Sequence, residues 1–567
     1  MRKITLLIVI FCVQIAFSQV PDWQWARSMN IHFNTWKQYA AIDNNGNTIV
    51  ITDFITPTVT FGNITVTNDS PSYYYSDIAL VKYDNQGNVV WAKRYGGPDM
   101  DQATAITTDQ AGNFYIAGGF LGSIVFDSVT LTAGPTGAAG NFIAKFNADG
   151  NLIFAKKVTN DSSATAINSI KTDDAENIYL TGFFNTPSIQ LGVITLNYED
   201  YNSAGAGSSN RSYVAKMDSQ GNYLWAKASQ SSDAHYIGIM PYGLDVDTNG
   251  NVYVGGHFGC NTIRFGAITL TKTAPIYNFN FNMYLVKYDS NGNELWARNT
   301  GSNYDNGTCT RTVKTDSQNN VYAAGYFSNT INFGATTLNA TGGSQQFIVK
   351  YDTDGNVLWA KAASATPGYN TIHAIDVDEN NNVFTAGTYN NTQMDFGNGV
   401  SLTNSIVTDG AVFVVKYTSG GDAVWARKAT SLNANNALNI ECKSENEIYV
   451  CGTFNNPTMT FGNQMVTKSE NNVDLYLAKL YYEPLSTTDW NANKVKVYPN
   501  PAKDKLFLSQ SDFTTYTIYN IVGAKVTSGS LHPEAGTIDV GMLTKGIYML
   551  QLSKSELKSE TIKIIKE

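Results

Sequence analysis

The sequence predicts an all-β protein in which a seven-bladed β-propeller is followed by a small C-terminal β-sandwich. Three observations support this: a short motif recurs at a long period, alternating strands and turns fill each period, and the two ends of the repeat region are complementary. The motif is an aromatic residue, alanine and a basic residue, and its copies lie 63 to 71 residues apart, a spacing that indicates a repeat architecture. The aromatic residues are Trp25, Trp91, Phe154, Trp225, Trp296, Trp359 and Trp425.

Each repeat contains the elements of about four antiparallel strands. An Asp/Asn turn precedes a strand with glycine and an aromatic residue, an apolar residue followed by glycine comes next, and a strand ending in a basic residue leads to a second turn. Repeat two departs from the apolar-Gly pair with Phe126-Asp127. Four antiparallel strands make one propeller blade. A glycine that can supply the positive φ of a tight hairpin recurs in the second turn, at Gly87, Gly150, Gly221, Gly292, Gly355 and Gly421.

The ends of the repeat region predict how the ring closes. The first Trp strand, residues 22–27, has no partner before it, and the last repeat ends at residues 476–479 without a Trp strand. We expect the N-terminal strand to complete the seventh blade, which leaves no open sheet edge. A β-helix is the alternative, although its coils are shorter and need no complementary ends.

The N-terminus has the features of a secretory signal peptide, residues 1–18. Arg2 and Lys3 precede a short apolar stretch, and Ala16 and Ser18 occupy the positions of a cleavage site. A lipoprotein signal at Cys12 is the less favoured alternative, because a bulky residue precedes it. No later apolar run is long enough for a transmembrane helix. The net charge of -9 argues against a nucleic-acid partner, because phosphates would be repelled.

Two resemblances add to this interpretation. Residues 347–351, 354–356 and Trp359 are similar to the bacterial seven-bladed propeller repeat family, and the likeness covers most of residues 22–480. The predicted propeller is residues 19–481, followed by a linker at 482–493. This resemblance implies the fold and carries no catalytic residues.

The tail, residues 494–567, opens with a Val-Tyr-Pro-Asn-Pro sequence and continues in short strands separated by glycine and proline. It resembles the type A C-terminal sorting domain of the type IX secretion system of Bacteroidetes. The resemblance implies that a translocon recognises the tail and exports the protein to the outer cell surface. Removal of the tail would then lead to release or to attachment to lipopolysaccharide. An accessory sandwich domain is the alternative.

A ligand patch is predicted on one face of the propeller, where repeats three and four carry longer insertions. Loops between second and third strands and between blades emerge on the same face, so their non-repeated aromatic residues can converge. The ligand could be a glycan or a protein. Aromatic residues that only cover the blade edge are the alternative. The candidate residues are Tyr198, Tyr201, His235, Tyr236, Tyr242, Tyr277 and Phe279.

Cysteines and acidic motifs give two further predictions. Export and an even number of cysteines permit a Cys260–Cys309 and a Cys442–Cys451 disulfide. Alternating oxygen-bearing residues that begin at Asp245 and at Asp376 resemble calcium loops in their spacing but lack the distal glutamate. We interpret them as hairpin turns, so that no cofactor is predicted, with calcium as the alternative.

No motif of a hydrolase, kinase, zinc protease or dinucleotide-binding enzyme is present. The sequence therefore predicts a secreted or cell-surface binding or scaffold module. A carbohydrate-active lyase or hydrolase is the second class, and it would need paired carboxylates at the channel mouth. A structural adhesin or envelope component is the third.

Overall fold

The computed structural model describes residues 20–29, 39–69, 75–133, 139–159, 165–199, 210–231, 238–272, 281–301, 307–404, 410–430, 435–468, 473–482, 495–509, 513–521, 523–531, 536–555 and 558–567. All regular secondary structure in these ranges is β, and they contain no helix of the length and hydropathy that a membrane span requires. The chain divides into two compact bodies, residues 1–482 and 483–567. The predicted signal peptide lies outside the described residues.

Within the described ranges of the N-terminal body, the strands form seven successive repeats. Most repeats consist of four long strands with a short two-stranded hairpin between the second and the third. The strands of repeats 1 to 3 are β2 (Tyr39–Ile42), β3 (Thr48–Phe54), β4 (Thr58–Phe61), β5 (Ile64–Thr67), β6 (Asp77–Tyr83) and β7 (Val89–Tyr95); β8 (Asp101–Thr108), β9 (Phe114–Leu121), β10 (Ser123–Phe126), β11 (Val129–Thr132), β12 (Ala139–Phe146) and β13 (Leu152–Lys157); and β14 (Thr165–Thr172), β15 (Ile178–Phe184), β16 (Ser188–Leu191), β17 (Ile194–Asn197), β18 (Arg211–Met217) and β19 (Tyr223–Ala228).

Repeats 4 to 7 follow the same order, except that in repeat 5 the hairpin is continuous with two long strands. Their strands are β20 (Ile239–Val246), β21 (Val252–Phe258), β22 (Thr262–Phe265), β23 (Ile268–Thr271), β24 (Asn282–Tyr288) and β25 (Glu294–Thr300); β26 (Thr308–Thr315), β27 (Val321–Phe333), β28 (Thr336–Tyr351), β29 (Val357–Lys361) and the short β30 (Ser364–Ala365); β31 (Asn370–Val377), β32 (Val383–Tyr389), β33 (Gln393–Asp395), β34 (Ser401–Thr403), β35 (Ala411–Tyr417) and β36 (Ala423–Thr430); and β37 (Asn435–Ser444), β38 (Glu447–Phe454), β39 (Thr458–Phe461), β40 (Gln464–Thr467) and β41 (Asp474–Tyr481).

The N-terminal strand β1 (Asp22–Ser28) supplies the fourth strand of repeat 7. It pairs with β41, with Trp25 opposite Lys479 and Arg27 opposite Leu477. In every repeat the four long strands pair antiparallel in the order first, second, third, fourth. First strands of successive repeats contact each other, and β37 of repeat 7 contacts β2 of repeat 1. The N-terminal body is therefore an all-β, propeller-like array of sheets.

The repeated aromatic residue of the fourth strand joins each repeat to the next. The indole Nε1 of Trp296 donates a hydrogen bond of 3.0 Å to the Thr353 carbonyl, in the turn between the third and fourth strands of the following repeat. Trp25 makes the same contact across the chain ends, 3.2 Å to the Asn85 carbonyl. Packing between repeats, rather than ligand binding, thus explains why this aromatic residue recurs.

In repeats 1 to 6 the turn glycine lies against the repeated aromatic ring of the preceding repeat. At Gly355, φ is +77°, and an added Cβ would lie 2.9 Å from a ring carbon of Trp296. The position therefore requires glycine both for its left-handed backbone and for the space that the indole occupies.

We expect Gly355→Ala to lower the free energy of unfolding by about 1–2 kcal/mol for the left-handed backbone and by about 1–3 kcal/mol more for the clash with Trp296. Gly397→Ala is the matched control, because Gly397 has φ +88° and none of the described residues lies within 4 Å of an added Cβ. Urea denaturation of both variants measures the difference. Equal losses would show that the indole contact contributes nothing.

The hairpin of each repeat also turns through a left-handed residue. Gly62 and Gly192 have φ of +59° and +61°, and Asp127 of repeat two has φ +49°. The departure of repeat two from the apolar-Gly pair therefore leaves the turn conformation unchanged, because aspartate tolerates the left-handed region better than most residues do.

The described strands of the C-terminal body are β42 (Val497–Tyr498), β43 (Lys505–Leu508), β44 (Thr515–Asn520), β45 (Lys525–Ser530), β46 (Thr537–Asp539), β47 (Gly546–Ser555) and β48 (Lys558–Lys566). They form a three-stranded and a four-stranded antiparallel sheet, with strand orders β42-β43-β46 and β45-β44-β47-β48. Leu506, Ile518, Ile538 and Leu550 are fully buried in the hydrophobic core of this body.

No disulfide joins the four cysteines, all of which lie within the described ranges, so the structure contains neither predicted bridge. Cys442 is opposite Ile448 and Cys451 is opposite Asn439, three register positions away. Three positions correspond to roughly 10 Å along a strand, which exceeds the Cα separation that a disulfide spans, about 7 Å at most. Cys260 and Cys309 are buried, and Cys309 Sγ lies 3.5 Å from His257 Nδ1.

We expect alkylation of the unfolded, unreduced mature chain to add four groups. Native protein should react more slowly, because Cys260, Cys309 and Cys451 are buried and burial raises the pKa of the Cys309 thiol to about 11. Mass spectrometry measures both reactions. Two alkylated sites instead of four would establish a disulfide.

Candidate functional site

The first strands of all seven repeats surround one central cavity. Its volume is about 140 Å³, and β2, β8, β14, β20, β26, β31 and β37 each contribute lining residues. Each first strand begins on the side of the connections between repeats, here called the loop side, and ends at an Asp/Asn turn on the opposite, turn side. The cavity is therefore the place where side chains from every repeat converge.

A β-bulge marks the loop-side half of the cavity. In six of the seven first strands as described, the register with the second strand skips one residue. A bulge leaves the extra residue without a ladder partner and re-aims its side chain. These residues differ in type from repeat to repeat, whereas the surrounding strands are alike. This bulge tier consists of Thr104, Asn168, Tyr242, Arg311, His373 and Leu438.

A second tier lies three residues further along the same strands, towards the turn side, and carries most of the charge. Lys314 Nζ is 2.8 Å from Asp376 Oδ1, and Asp376 Oδ2 accepts a hydrogen bond of 2.6 Å from the Cys442 amide. Asp245 Oδ2 accepts hydrogen bonds of 2.7 and 2.8 Å from the amide and hydroxyl of Thr315. This charged tier consists of Thr107, Lys171, Asp245, Lys314, Asp376 and Glu441.

The charged residues of this tier shift one another's pKa values. Burial and the neighbouring Asp376 raise the pKa of Glu441, although Lys171 and Lys314 act in the opposite direction. Burial disfavours the charge on Lys314, but the carboxylates of Asp376, Asp245 and Glu441 outweigh it and raise the pKa of the ammonium. Cations and anions of this tier therefore compensate one another.

Arg311, in the bulge tier, has a different environment. Its Cζ lies 4.8 Å from the ring centroid of Tyr242 and 5.4 Å from that of Tyr326. His257 extends this group of rings, with centroid distances of 5.5 Å to Tyr242 and 4.4 Å to Phe281. The guanidinium is thus held between tyrosine rings at the loop-side end of the cavity.

Burial and the charge of Arg311 keep the nearby imidazole neutral. The pKa of His373 is lowered to about 3 by burial and by the Arg311 guanidinium, and the pKa of His257 is lowered to about 3 by the same two causes. The bulge tier therefore carries one cation surrounded by uncharged polar and aromatic groups.

The structure brings one of the predicted ligand residues to this cavity, Tyr242. Tyr198 is placed differently from the prediction: it is buried in the core of repeat 3, where the buried Arg211 guanidinium lies 3.9 Å from its ring centroid. Its ring faces the core because it follows the β17 hairpin strand, which packs on its own sheet. Tyr201, His235, Tyr236, Tyr277 and Phe279 lie outside the described residues.

The acidic residues of each calcium-like motif lie in two different places, one in the hairpin turn and the other in the first strand. Asp247 closes its turn by accepting hydrogen bonds from the Asn249 and Asn251 amides and from the Asn251 side chain. Asp378 does the same in repeat 6. Asp245 and Asp376, two residues earlier, belong to the charged tier. Within the described ranges no group of three or more His, Cys, Asp or Glu side chains is arranged to hold a metal.

Sequence reasoning found Tyr242 but missed the rest of the bulge tier, including Arg311, and it did not recognise the charged tier as a unit. A usable signal was present in repeats 2 to 6: the positions two and five residues before the turn Asp vary in type, whereas the position three residues before it is always Ile, Leu or Val. Variation at a fixed place in a repeat is typical of a surface that has diverged for binding, because structural positions stay alike.

The tail is similar to a known family of sorting domains. Residues 496–567 match the family model described as the secretion system C-terminal sorting domain. The chain carries a type IX secretion sorting domain. The predicted resemblance of the tail is therefore confirmed, and the protein is one that is secreted or displayed at the cell surface.

Relatives of the N-terminal body are more distant. The uncharacterized WD repeat-containing protein L264 of Acanthamoeba polyphaga mimivirus is 25% identical over 478 residues, covering 71% of this chain and 33% of its own length. Regulatory protein FlaEY of Caulobacter vibrioides is 28% identical over 243 residues, covering 40% of this chain and 24% of its own. The chain thus spans a third or less of the length of these curated relatives. The Pan2 WD40 domain of Neurospora crassa has a TM-score of 0.27 at 8% identity, covering 64% of this chain and 85% of that one.

Proposed function

We propose that the protein is an exported binding module, in which a closed seven-bladed propeller presents a ligand site at the loop-side mouth of its central cavity. The cyclic contacts of the first strands and the Trp25 contact across the chain ends support closure. In the same proposal the two sheets of the C-terminal body are the layers of a small sandwich that the type IX translocon recognises.

The observation that carries the binding proposal is the bulge tier. Its side chains differ from repeat to repeat at one structural position, whereas the turns, the inter-repeat aromatic residues and the core are alike. If these positions served only to stabilise the fold, the same residue type could occupy all of them. Tyrosine, arginine and histidine in this tier are residue types that dominate ligand contacts.

A glycan array probed with the mature chain tests the proposal. We expect wild-type protein to bind a subset of glycans, and Tyr242→Ala or Tyr326→Ala to abolish that binding. Tyr369→Ala is the control, because Tyr369 is exposed on the loop side without lining the cavity. Equal binding by all four proteins would place the ligand elsewhere, and binding lost only in Tyr369→Ala would contradict the cavity site.

A carbohydrate-active enzyme is the second candidate, and one observation favours it. Asp376 and Glu441 line the same cavity, where burial and the neighbouring Asp376 raise the pKa of Glu441. Glycoside hydrolysis uses such a pair, one acid and one carboxylate. A polysaccharide-degradation screen with wild type and Glu441→Gln decides: turnover that Glu441→Gln removes would establish the enzyme, and binding without turnover favours the module. Binding of whole cells without a defined glycan would instead indicate an adhesin.

A further inference from the structure

Arg311 is half-buried, and its partners differ from those of three lysines of the N-terminal body. Lys82, Lys350 and Lys314 are ion-paired with aspartates at 2.8 to 3.0 Å. Across the part of the chain that the structure describes, Arg311 forms no ion pair, and its Nε has no hydrogen-bond partner although the atom is buried. Its neighbours are Tyr242 and Tyr326, whose side chains share hydrogen bonds with it, the Cys309 thiol and the neutral His373.

A guanidinium that is removed from water and has no carboxylate partner destabilises the protein. Removing a cation from water costs several kcal/mol, which a carboxylate partner normally offsets, and neutral phenol and imidazole groups offset only part of it. The nearest acids of the cavity lie in the charged tier, roughly 10 Å further along the strands, where Lys171 and Lys314 already compensate them. The mouth therefore holds a positive charge whose counter-ion is not among the described side chains.

The geometry around Arg311 fits a small planar or tetrahedral oxyanion. A guanidinium presents parallel N–H donors that match carboxylate or sulfate oxygens, and the flanking rings restrict its side-chain rotamers so that little freedom is lost on binding. The rings of Tyr242, Tyr326 and Phe281 add apolar faces of the kind that pack against a sugar or another flat group. A cavity of about 140 Å³ admits the charged end of a ligand rather than a whole polymer.

We infer that Arg311 is the anchor for a singly charged oxyanion, a carboxylate or a sulfate ester, on a ligand that enters the cavity from the loop side. This inference rests on the proposed function and specifies its ligand class. Arg311 holds the anion, Tyr242 and Tyr326 position the guanidinium, and the neutral His373 adds a polar group without a competing charge.

The test is isothermal titration of the mature chain, at one ionic strength, with galacturonate, galactose 6-sulfate and uncharged galactose. We expect one or both charged sugars to bind about tenfold or more tightly than galactose, which is the range of a charge-assisted hydrogen bond. Arg311→Gln should remove that preference, and Arg311→Lys should retain part of it. Arg264→Gln is the matched control, since Arg264 is an exposed arginine ion-paired with Glu199.

The outcomes separate this inference from the proposed function. A preference for one charged sugar over the other identifies the source of the oxyanion. Equal affinity for charged and neutral sugars, with loss in Tyr326→Ala, would overturn the role of Arg311 and leave the cavity site standing. No binding of any sugar, together with a negative glycan array, would overturn both.

The melting temperature, measured with and without ligand, distinguishes a loss of binding from a loss of stability in the Arg311 variant. If Arg311 is an uncompensated cation, Arg311→Gln should raise the Tm of the unliganded protein, and millimolar galacturonate or galactose 6-sulfate should raise the Tm of wild type but not of the variant. A lower Tm for Arg311→Gln in both conditions would show that Arg311 has a structural role and would overturn the inference.

Discussion

Trp25→Ala is expected to lower the free energy of unfolding of the N-terminal body by about 3–5 kcal/mol, the range for a buried tryptophan. Trp25 is 6% exposed, and its indole hydrogen-bonds the Asn85 carbonyl of repeat 1 from the strand that completes repeat 7. Arg27 adds hydrogen bonds to the Gly87 and Gln86 carbonyls of the same turn. The N-terminal strand therefore joins the last repeat to the first.

Trp296→Ala is the matched comparison within the ring. Trp296 is 7% exposed, donates 3.0 Å to Thr353, and is followed by Arg298, which contacts the Gly355 and Asp354 carbonyls. In a closed propeller both substitutions cost the same, because each removes one of several equivalent inter-repeat contacts. Urea denaturation followed by far-UV circular dichroism measures both. A loss for Trp25→Ala well below that for Trp296→Ala would mean that the ring is open between repeats 7 and 1.

Asp101 carries the second large expected effect, because its carboxyl is fully buried between repeats 1 and 2. Oδ2 accepts a hydrogen bond of 2.7 Å from the Gly97 amide, and Oδ1 has no hydrogen-bond partner among the described residues. Burial, with the repulsion of Asp77 and Asp53, raises the pKa of Asp101 to about 9, against the hydrogen bond from Gly97 and the charge of Arg94. In the folded protein this group is neutral at pH 7.

The direction in which pH changes stability follows from the pKa of Asp101 in the folded and unfolded states. The unfolded carboxyl ionises near pH 4, whereas the folded one holds its proton to about pH 9. Unfolding therefore releases a proton between these values, and stability falls as pH rises through that window, by up to about 1.4 kcal/mol per pH unit for one proton. Asp101→Asn, which resembles the neutral acid, should remove this slope and be more stable than wild type at pH 8.

Asp316→Asn is the control of opposite sign. Asp316 is also buried, but hydrogen bonds from Asn320 and Lys350 and the charge of Lys350 outweigh burial and lower its pKa. Its contribution is present above the unfolded pKa and lost as pH falls, so Asp316→Asn should destabilise at pH 7 and much less at pH 3. Tm measured from pH 2 to pH 9 tests the pair. An unchanged pH slope in Asp101→Asn would show that Asp101 is ionised in the folded protein.

Much of the architecture is visible in the sequence because local interactions encode it. An aspartate such as Asp84 accepts hydrogen bonds from the Gln86 and Asn88 amides within its own turn, so each copy of the motif specifies one hairpin wherever it occurs. The inter-repeat aromatic residue and the turn glycine recur for the same reason. The sorting domain is recognisable from its motifs because they form a self-contained body.

The site could not be derived in the same way. Strand alternation assigns side chains to faces only while the register is regular, and a bulge in six of the first strands shifts it by one residue. Asp245 and Asp247 look alike in sequence, but Asp245 accepts hydrogen bonds from Thr315 of the next repeat, whereas Asp247 caps its own turn. Tyr198 and Tyr242 were equal candidates, and only Tyr242 reaches the cavity.

The strands, the turns, the repetition and the sorting tail can be predicted from the sequence alone, because each depends on contacts within a few tens of residues. Only the tertiary structure decided which side chains meet at the centre and which charges are compensated there. Those properties depend on distances between residues from different repeats, up to the full length of the N-terminal body apart, and no local pattern records them.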